Sequence, residues 1–270
     1  MVEMKQFKEA KRIVIKIGTS TIMKNNKEIN ISTLEKITTI IASLHQQKKE
    51  IVIVSSGAIG VGSSRMALTR KPERLEDKQA TAAIGQGFLM HLYEELFSKY
   101  NISVGQVLLT RRDCEDNIQR YNTKNTFNAL FRFKAIPIVN ENDTIAVEEI
   151  VYGDNDTLSA VVSVLIKADL LIMLSDTDGL YSDDPRKNKK ANKISFIEDI
   201  SANIESFACG AGSAFGTGGM RTKISAAKLA TEHGINVAIF HGEKPQGILD
   251  LIEGKNRGTI FLKKEDNIYG

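Results

Sequence analysis

Arg12-Ile-Val-Ile-Lys-Ile-Gly-Thr-Ser20 is the stretch from which the architecture of this chain can be read. A run rich in β-branched residues ends abruptly in Lys16, Gly18, Thr19 and Ser20. That is the pattern of a buried strand that delivers a lysine and a tight turn to the carboxyl edge of a sheet, where ligands of open α/β sheets sit. Glu50-Ile-Val-Ile-Val-Ser-Ser-Gly-Ala-Ile-Gly-Val-Gly62 repeats the pattern, with Ser55, Ser56, Gly57, Gly60 and Gly62 following the apolar run. Asp169-Leu-Leu-Ile-Met-Leu-Ser-Asp176 repeats it again, ending in Ser175 and Asp176 before a turn at Thr177, Asp178 and Gly179.

Further along, Gly210-Ala-Gly-Ser-Ala-Phe-Gly-Thr-Gly-Gly-Met-Arg-Thr-Lys223 leads into a helical pattern at Ile224, Ala227 and Ala230. Glycine lets a backbone approach an anion closely, and the first free N–H groups of the helix then point at the charge. Lys223 falls on the first helical turn. Between these landmarks strands and helices alternate. Helices are expected around Leu34 to Leu44, Asp77 to Tyr100, Tyr121 to Phe133, Asn155 to Ala168 and after Gly219. Strands are expected at Ile13 to Ile17, Ile51 to Val54, Val104 to Leu109, Ile136 to Val139, up to Ser175, Val237 to Phe240 and Ile260 to Leu262. The alternation implies an α/β fold, a mostly parallel central sheet with helices on both faces.

Composition narrows the classes of function. With 270 residues and 42% hydrophobic content the chain can bury a full core as one large domain or two lobes. A net charge of +3 is too small to argue for nucleic acid by itself; Arg186-Lys-Asn-Lys-Lys-Ala-Asn-Lys193, the densest basic run, could grip RNA or a nucleotide's phosphates but reads better as a solvated loop. Cys114 and Cys209 stand far apart without a C-x-x-C partner, which suits reduced thiols in a cytoplasmic protein. No signal peptide or membrane-length apolar run is expected. The G-x-x-x-x-G-K-[ST] loop, a clean G-x-G-x-x-G, H-E-x-x-H and G-x-S-x-G are all missing, and the four histidines are scattered.

The acidic chemistry lies mid-chain. Val139-Asn-Glu-Asn-Asp143 follows a strand and Gly153-Asp-Asn-Asp-Thr157 opens a helix, which gathers Asn140, Glu141, Asn142, Asp143, Asp154, Asn155 and Asp156. Such groups could ligate Mg²⁺, cap the helix at Asn155, or hold the ammonium of an amino-acid substrate. Capping accounts for one or two of them but not for Asp143 together with Asp154 and Asp156.

Lys16-Ile-Gly-Thr-Ser, Ser55-Ser-Gly-Ala-Ile, Val139-Asn-Glu-Asn-Asp, Gly153-Asp-Asn-Asp, Leu180-Tyr-Ser-Asp-Asp-Pro-Arg186 and Gly216-Thr-Gly-Gly-Met-Arg-Thr-Lys223, in that order, resemble the glutamate 5-kinases of the amino acid kinase superfamily. The likeness spans about residues 11 to 262. It implies a three-layer αβα sandwich, the amino acid kinase fold, over residues 1–270. A glutamate-binding lobe would span about 11–168 and a nucleotide-binding lobe about 169–262, without the PUA-class domain that many relatives carry.

The resemblance also implies an activity, transfer of the γ-phosphoryl group of ATP to the side-chain carboxylate of L-glutamate, the first step of proline synthesis. Residue by residue it implies Lys16, Lys223 and Asp156 as the catalytic set, and Ser56, Asp143, Asn155 and Asp154 around glutamate. Lys16, Ser175, Asp176, Thr217, Gly218, Gly219, Met220, Arg221, Thr222 and Lys223 would surround the nucleotide. Mg²⁺ is implied on the ATP phosphates, with no direct protein ligand assigned. A homodimer or homotetramer, feedback inhibition by L-proline and coupling to glutamyl-phosphate reductase are further implications; a nucleic-acid or membrane partner is not. One departure is Val151-Tyr152 just before Gly153, where relatives commonly carry a basic residue.

Overall fold

A computed structural model describes residues 4–24, 28–145, 155–185, 187–207 and 219–264. In chain order the elements begin with α1 (Lys5–Glu9), β1 (Arg12–Ile17), α2 (Thr19–Ile22), β2 (Met23–Lys24), β3 (Glu28–Ile29) and α3 (Ile31–Gln46). Next come β4 (Glu50–Ser55), α4 (Ala58–Arg65), α5 (Leu75–Ser98), β5 (Val104–Leu109), α6 (Arg111–Glu115), α7 (Asn117–Arg132) and β6 (Ile136–Glu141). Then follow α8 (Asn155–Ile166), β7 (Leu170–Ser175), β8 (Leu180–Tyr181), β9 (Lys193–Ile194), β10 (Phe196–Ile197) and α9 (Ala202–Phe207). The last are α10 (Met220–Glu232), β11 (Asn236–His241), α11 (Gln246–Ile252) and β12 (Thr259–Phe261).

Among the described residues eight strands form one sheet in the order β10-β12-β11-β7-β1-β4-β6-β5. β1 lies parallel to both β4 and β7, and β6, β5 and β11 continue the parallel run. β12 runs antiparallel to β11, so the sheet is mostly parallel, as expected. The carboxyl ends of β1, β4, β6, β7 and β11 therefore share one edge of the sheet.

Pleat parity decides what each strand end can reach, because successive side chains point to opposite faces. Ile13, Ile15 and Ile17 of β1, Ile51 and Ile53 of β4, Ile136 and Ile138 of β6, and Leu170, Ile172 and Leu174 of β7 all enter one core. That core is completed by Phe7 and by residues of α3, α5 and α11. Val14, Val52, Val54, Val139, Leu171, Met173, Val237 and Ile239 form the other core with residues of α8 and α10 and with Phe127 of α7. Helices thus cover both faces, as a three-layer αβα sandwich requires. Lys16 follows Val14 on the α8/α10 face, whereas Ser55 and Asn140 continue the face covered by α5.

The stretch after β4, expected only as small residues following a strand, forms α4. Gly57 starts it with φ at +90°, a left-handed conformation open to glycine at little cost. Two glycines inside the helix pair then allow α4 and α5 to touch backbone to backbone. A Cβ on Gly62 would lie 1.8 Å from the carbonyl oxygen of Thr81, and one on Gly85 would lie 1.9 Å from that of Ala58. These residues weaken helix propensity but set the depth at which α5 approaches the sheet edge.

Candidate active site

β1, α8 and α10 bring Lys16, Asp156 and Lys223 together. Lys16 Nζ lies 2.7 Å from Asp156 Oδ1, and Lys223 Nζ lies 3.1 Å from Asp156 Oδ2. All three are buried, with exposures of 6%, 0% and 4% in the order Lys16, Asp156, Lys223. Burial alone pushes the Asp156 carboxyl up. The two ammoniums, with hydrogen bonds from Lys16 and Thr222, overcome that effect and hold it at about 2. Each carboxylate oxygen of Asp156 thus meets one ammonium.

Thr222 also reaches this carboxylate through its side chain. Its Oγ1 lies 2.8 Å from Asp156 Oδ2 and also 2.8 Å from the carbonyl oxygen of Gly219. A single hydroxyl proton thus serves an internal pair of acceptors. Met220 packs its side chain in the core, while Arg221 is exposed beside it. Gly219 caps α10 without a side-chain hydrogen bond, which leaves the amide end of a 13-residue helix at the site. Thr217 and Gly218 lie outside the described residues, as do the rest of the glycine run from Gly210, Asp154 and the Val151-Tyr152 departure.

A second cluster occupies the ends of β4 and β6. Asn155, the first residue of α8, donates through Nδ2 to the Ser55 carbonyl at 2.8 Å, Ser56 Oγ at 3.1 Å and Asn140 Oδ1 at 2.8 Å. Asn140 Oδ1 also accepts the Glu141 backbone N–H at 2.9 Å, and Asn140 Nδ2 donates to Gln86 Oε1 at 3.0 Å. Ser55 Oγ and Tyr93 OH share a 2.9 Å hydrogen bond; burial raises the Tyr93 phenol to about 12 despite that bond. Asp143, in the turn after β6, is half-buried, and burial raises its carboxyl to about 6.

Ser175 and Asp176 sit at the end of β7, where Ser175 Oγ donates to Asp176 Oδ1 at 2.9 Å. Ser175 is buried and Asp176 exposed. The structure therefore brings Lys16, Asp156, Lys223 and Thr222 into one contact group and Ser56 with Asn155 into another. The two groups meet at the first turn of α8, where Asn155 and Asp156 are consecutive. Sequence reasoning missed Gln86 and Tyr93. Their signal is a pair of hydrogen-bonding tips on one face of a helix whose other buried positions are mostly apolar.

The sequence model of the amino acid kinase family matches residues 11–241. A glutamate 5-kinase of Clostridium tetani is 49% identical over 94% of this chain and 95% of its own length. One from Clostridium perfringens is 47% identical over 97% of this chain and 98% of its own. Among solved structures, a carbamate kinase of Giardia lamblia bound to AMP-PNP superposes with a TM-score of 0.66 at 17% identity, covering 95% of this chain and 100% of its own. At that identity the likeness speaks for the fold.

Proposed function

This chain belongs to the amino acid kinase family, and we propose on that basis that it is an ATP-dependent kinase of L-glutamate, forming L-glutamyl 5-phosphate and ADP. The structural observation that carries the chemistry is the pair of buried lysines converging on Asp156. A carboxylate with an ordinary pKa of about 4.3 is already ionised at neutral pH, so attack requires no general base. One γ-carboxylate oxygen forms a bond to the γ-phosphorus of ATP as the bond from that phosphorus to the β,γ-bridging oxygen breaks, and ADP leaves with that electron pair. The barrier is the approach of two anions. Positioned cations and backbone amides lower it most when they face the oxygens on which charge accumulates.

In this reading Lys16 and Lys223 stabilise the transferring group, and Asp156 holds them at fixed positions. Ser56, Asp143, Asp154 and Asn155 bind glutamate, while Ser175, Asp176 and residues 217–223 hold the nucleotide. The division of labour follows the chain, glutamate with about residues 11–168 and nucleotide with about 169–262. Mg²⁺ would enter on ATP, and both oxygens of Asp156 are engaged by ammoniums. When bound, the ion offsets phosphate charge. The product acyl phosphate is labile, which suits prompt consumption by a glutamyl-phosphate reductase in the first steps of proline synthesis. Feedback by L-proline, homo-oligomerisation and a cytoplasmic location belong to the same proposal. Among the described residues no helix is long and apolar enough to cross a membrane.

The direct test is ADP release with Mg-ATP and L-glutamate, alongside aspartate, N-acetylglutamate, carbamate and UMP, with hydroxylamine to trap acyl phosphate. Release and hydroxamate with glutamate are expected. Turnover confined to another acceptor would overturn the assignment of substrate while leaving the phosphate-handling lysines in place.

A further inference from the structure

Asn140 and Asn155 form a chain of amides whose orientation is set from both ends by main-chain groups. At one end the Glu141 N–H can only donate, so the side of Asn140 that faces it at 2.9 Å is the oxygen. Asn140 Nδ2 is thereby turned to Gln86, which must present its own oxygen, at 3.0 Å. At the other end the Ser55 carbonyl can only accept, so Asn155 faces it with nitrogen at 2.8 Å. That nitrogen also meets Asn140 Oδ1, which now accepts from two donors and has both lone pairs engaged. The two amides and Gln86 agree in polarity at every contact.

This polarity fixes the atom that Asn155 has left to offer. Its two N–H groups are committed to three acceptors, Ser55 O, Ser56 Oγ and Asn140 Oδ1. A ligand meeting Asn155 therefore meets Oδ1, an acceptor. At neutral pH both carboxylates of glutamate only accept, and its α-ammonium is its one charged donor.

We infer that Gln86 is a positioning residue for substrate recognition, which through Asn140 locks Asn155 with its oxygen toward the substrate's α-ammonium. The inference rests on the glutamate-kinase reading. Gln86 is only 8% exposed and follows Gly85, the residue that lets α5 close on α4. Tyr93, further along α5, braces the Ser55 end of the same cluster. The helix thus supports both ends of the amide chain while standing behind the site.

The experiment compares wild type with Gln86→Met, which keeps length and volume but removes the strong acceptor, and with Gln86→Glu, which keeps an oxygen facing Asn140. Each is assayed with L-glutamate and with glutarate, which has the same chain of carboxylates without the ammonium. In Gln86→Met the KM for glutamate should rise about tenfold, the scale of losing one hydrogen bond to a charged group. The KM for ATP and the KM for glutarate should stay within about twofold. Gln86→Glu should recover most of the loss.

Equal KM for glutamate in wild type and a folded Gln86→Met overturns the inference. So does a parallel rise for glutamate, glutarate and ATP that Gln86→Glu does not restore, since that pattern reports general damage. If Gln86→Met does not fold, Gln86→Glu decides the matter by calorimetric titration: retained glutamate affinity supports the relay, and a loss of it refutes the relay. Absence of glutamate-dependent ADP release from wild type overturns the functional reading itself, and the inference with it; failure of the relay alone leaves wild-type turnover intact.

Discussion

Replacing Asp156 by Asn removes a charge that two ammoniums share and changes almost nothing in size. An asparagine can face one lysine with its oxygen, but its NH₂ must then face the other lysine, donor against donor. The depressed carboxyl, at about 2 against an ordinary 3.8, corresponds to about 2 kcal/mol after burial has been offset. Removal costs more than that, because it leaves buried cations without their carboxylate; breaking buried pairs costs about 3–5 kcal/mol. The larger figure governs the mutant, since the pKa reports only the preference of the intact site for the ionised form.

For a chain of this size about 3–5 kcal/mol lowers the melting temperature by about 10 °C. Thermal unfolding of both proteins at pH 7 measures it. Pyrophosphate, which can replace the missing negative charge, should raise the melting temperature of the variant more than that of wild type. The pH dependence has a definite sign. A depressed carboxyl stabilises the fold above its unfolded value of 3.8, and that contribution disappears as pH falls from about 4 through about 2. Turnover should drop about 10²-fold or more as the lysines lose their fixed positions. A variant melting within about 2 °C of wild type with unaltered turnover would refute the view that Asp156 holds the two lysines.

The other predictions touch separate parts of the molecule. Lys16→Ala should lower kcat by about 10²–10³ while the protein stays folded by circular dichroism, and comparable turnover would remove Lys16 from the chemistry. Asp143→Asn should raise the KM for glutamate much more than that for ATP. Because burial raises Asp143 to about 6, the folded protein holds its proton more tightly than the unfolded chain, and stability falls as pH rises from about 4 to about 6. The Asn variant should therefore melt higher than wild type at pH 8, by at most about 3 kcal/mol in stability, and the gain should vanish near pH 4. Gly85→Ala would gain about 1 kcal/mol of helix propensity on an open helix, yet its Cβ would lie 1.9 Å from a backbone oxygen. A net loss of about 2–3 kcal/mol in denaturant unfolding is expected, and a stabilised variant would refute the close helix crossing.

How much of this is legible in the sequence depends on range. Ile13 to Ile17 and Leu170 to Leu174 announce buried strands because each run is apolar on both faces, and parity then puts Lys16 opposite Ile15 and Ile17. Asn155 and Asp156 are legible as a helix start. What local pattern cannot supply is the partner across the fold. Gln86 and Tyr93 look like ordinary positions on an amphipathic helix until α5 is docked, and docking depends on Gly62 in α4 meeting Gly85. The same limit hides α4 itself: Gly57, Gly60 and Gly62 argue locally for a loop, and only packing against α5 repays the weak propensity. Thr222 gives no local sign of its long-range contact: on the first turn of α10 its hydroxyl reaches inward to Asp156, 66 positions away in the chain.

The first turn of α8 explains how two kinds of recognition are kept apart. Asn155 and Asp156 are adjacent, and consecutive helix positions do not face one another. Asn155 reaches across the sheet edge to Ser55, Ser56 and Asn140, on the α5 side, whereas Asp156 turns to Lys16 and Lys223 beneath α10. In the proposed reaction the ammonium of glutamate belongs with the first group and its reacting carboxylate with the second. A single rigid backbone step then relates the donor-seeking end of the site to its anion-seeking end. Orientation of the acceptor follows from the chain itself: reversing glutamate would put its ammonium against the lysines and leave Asn155 Oδ1 facing a carboxylate. Both errors are electrostatic and occur together, so the wrong orientation is disfavoured before any phosphoryl group moves.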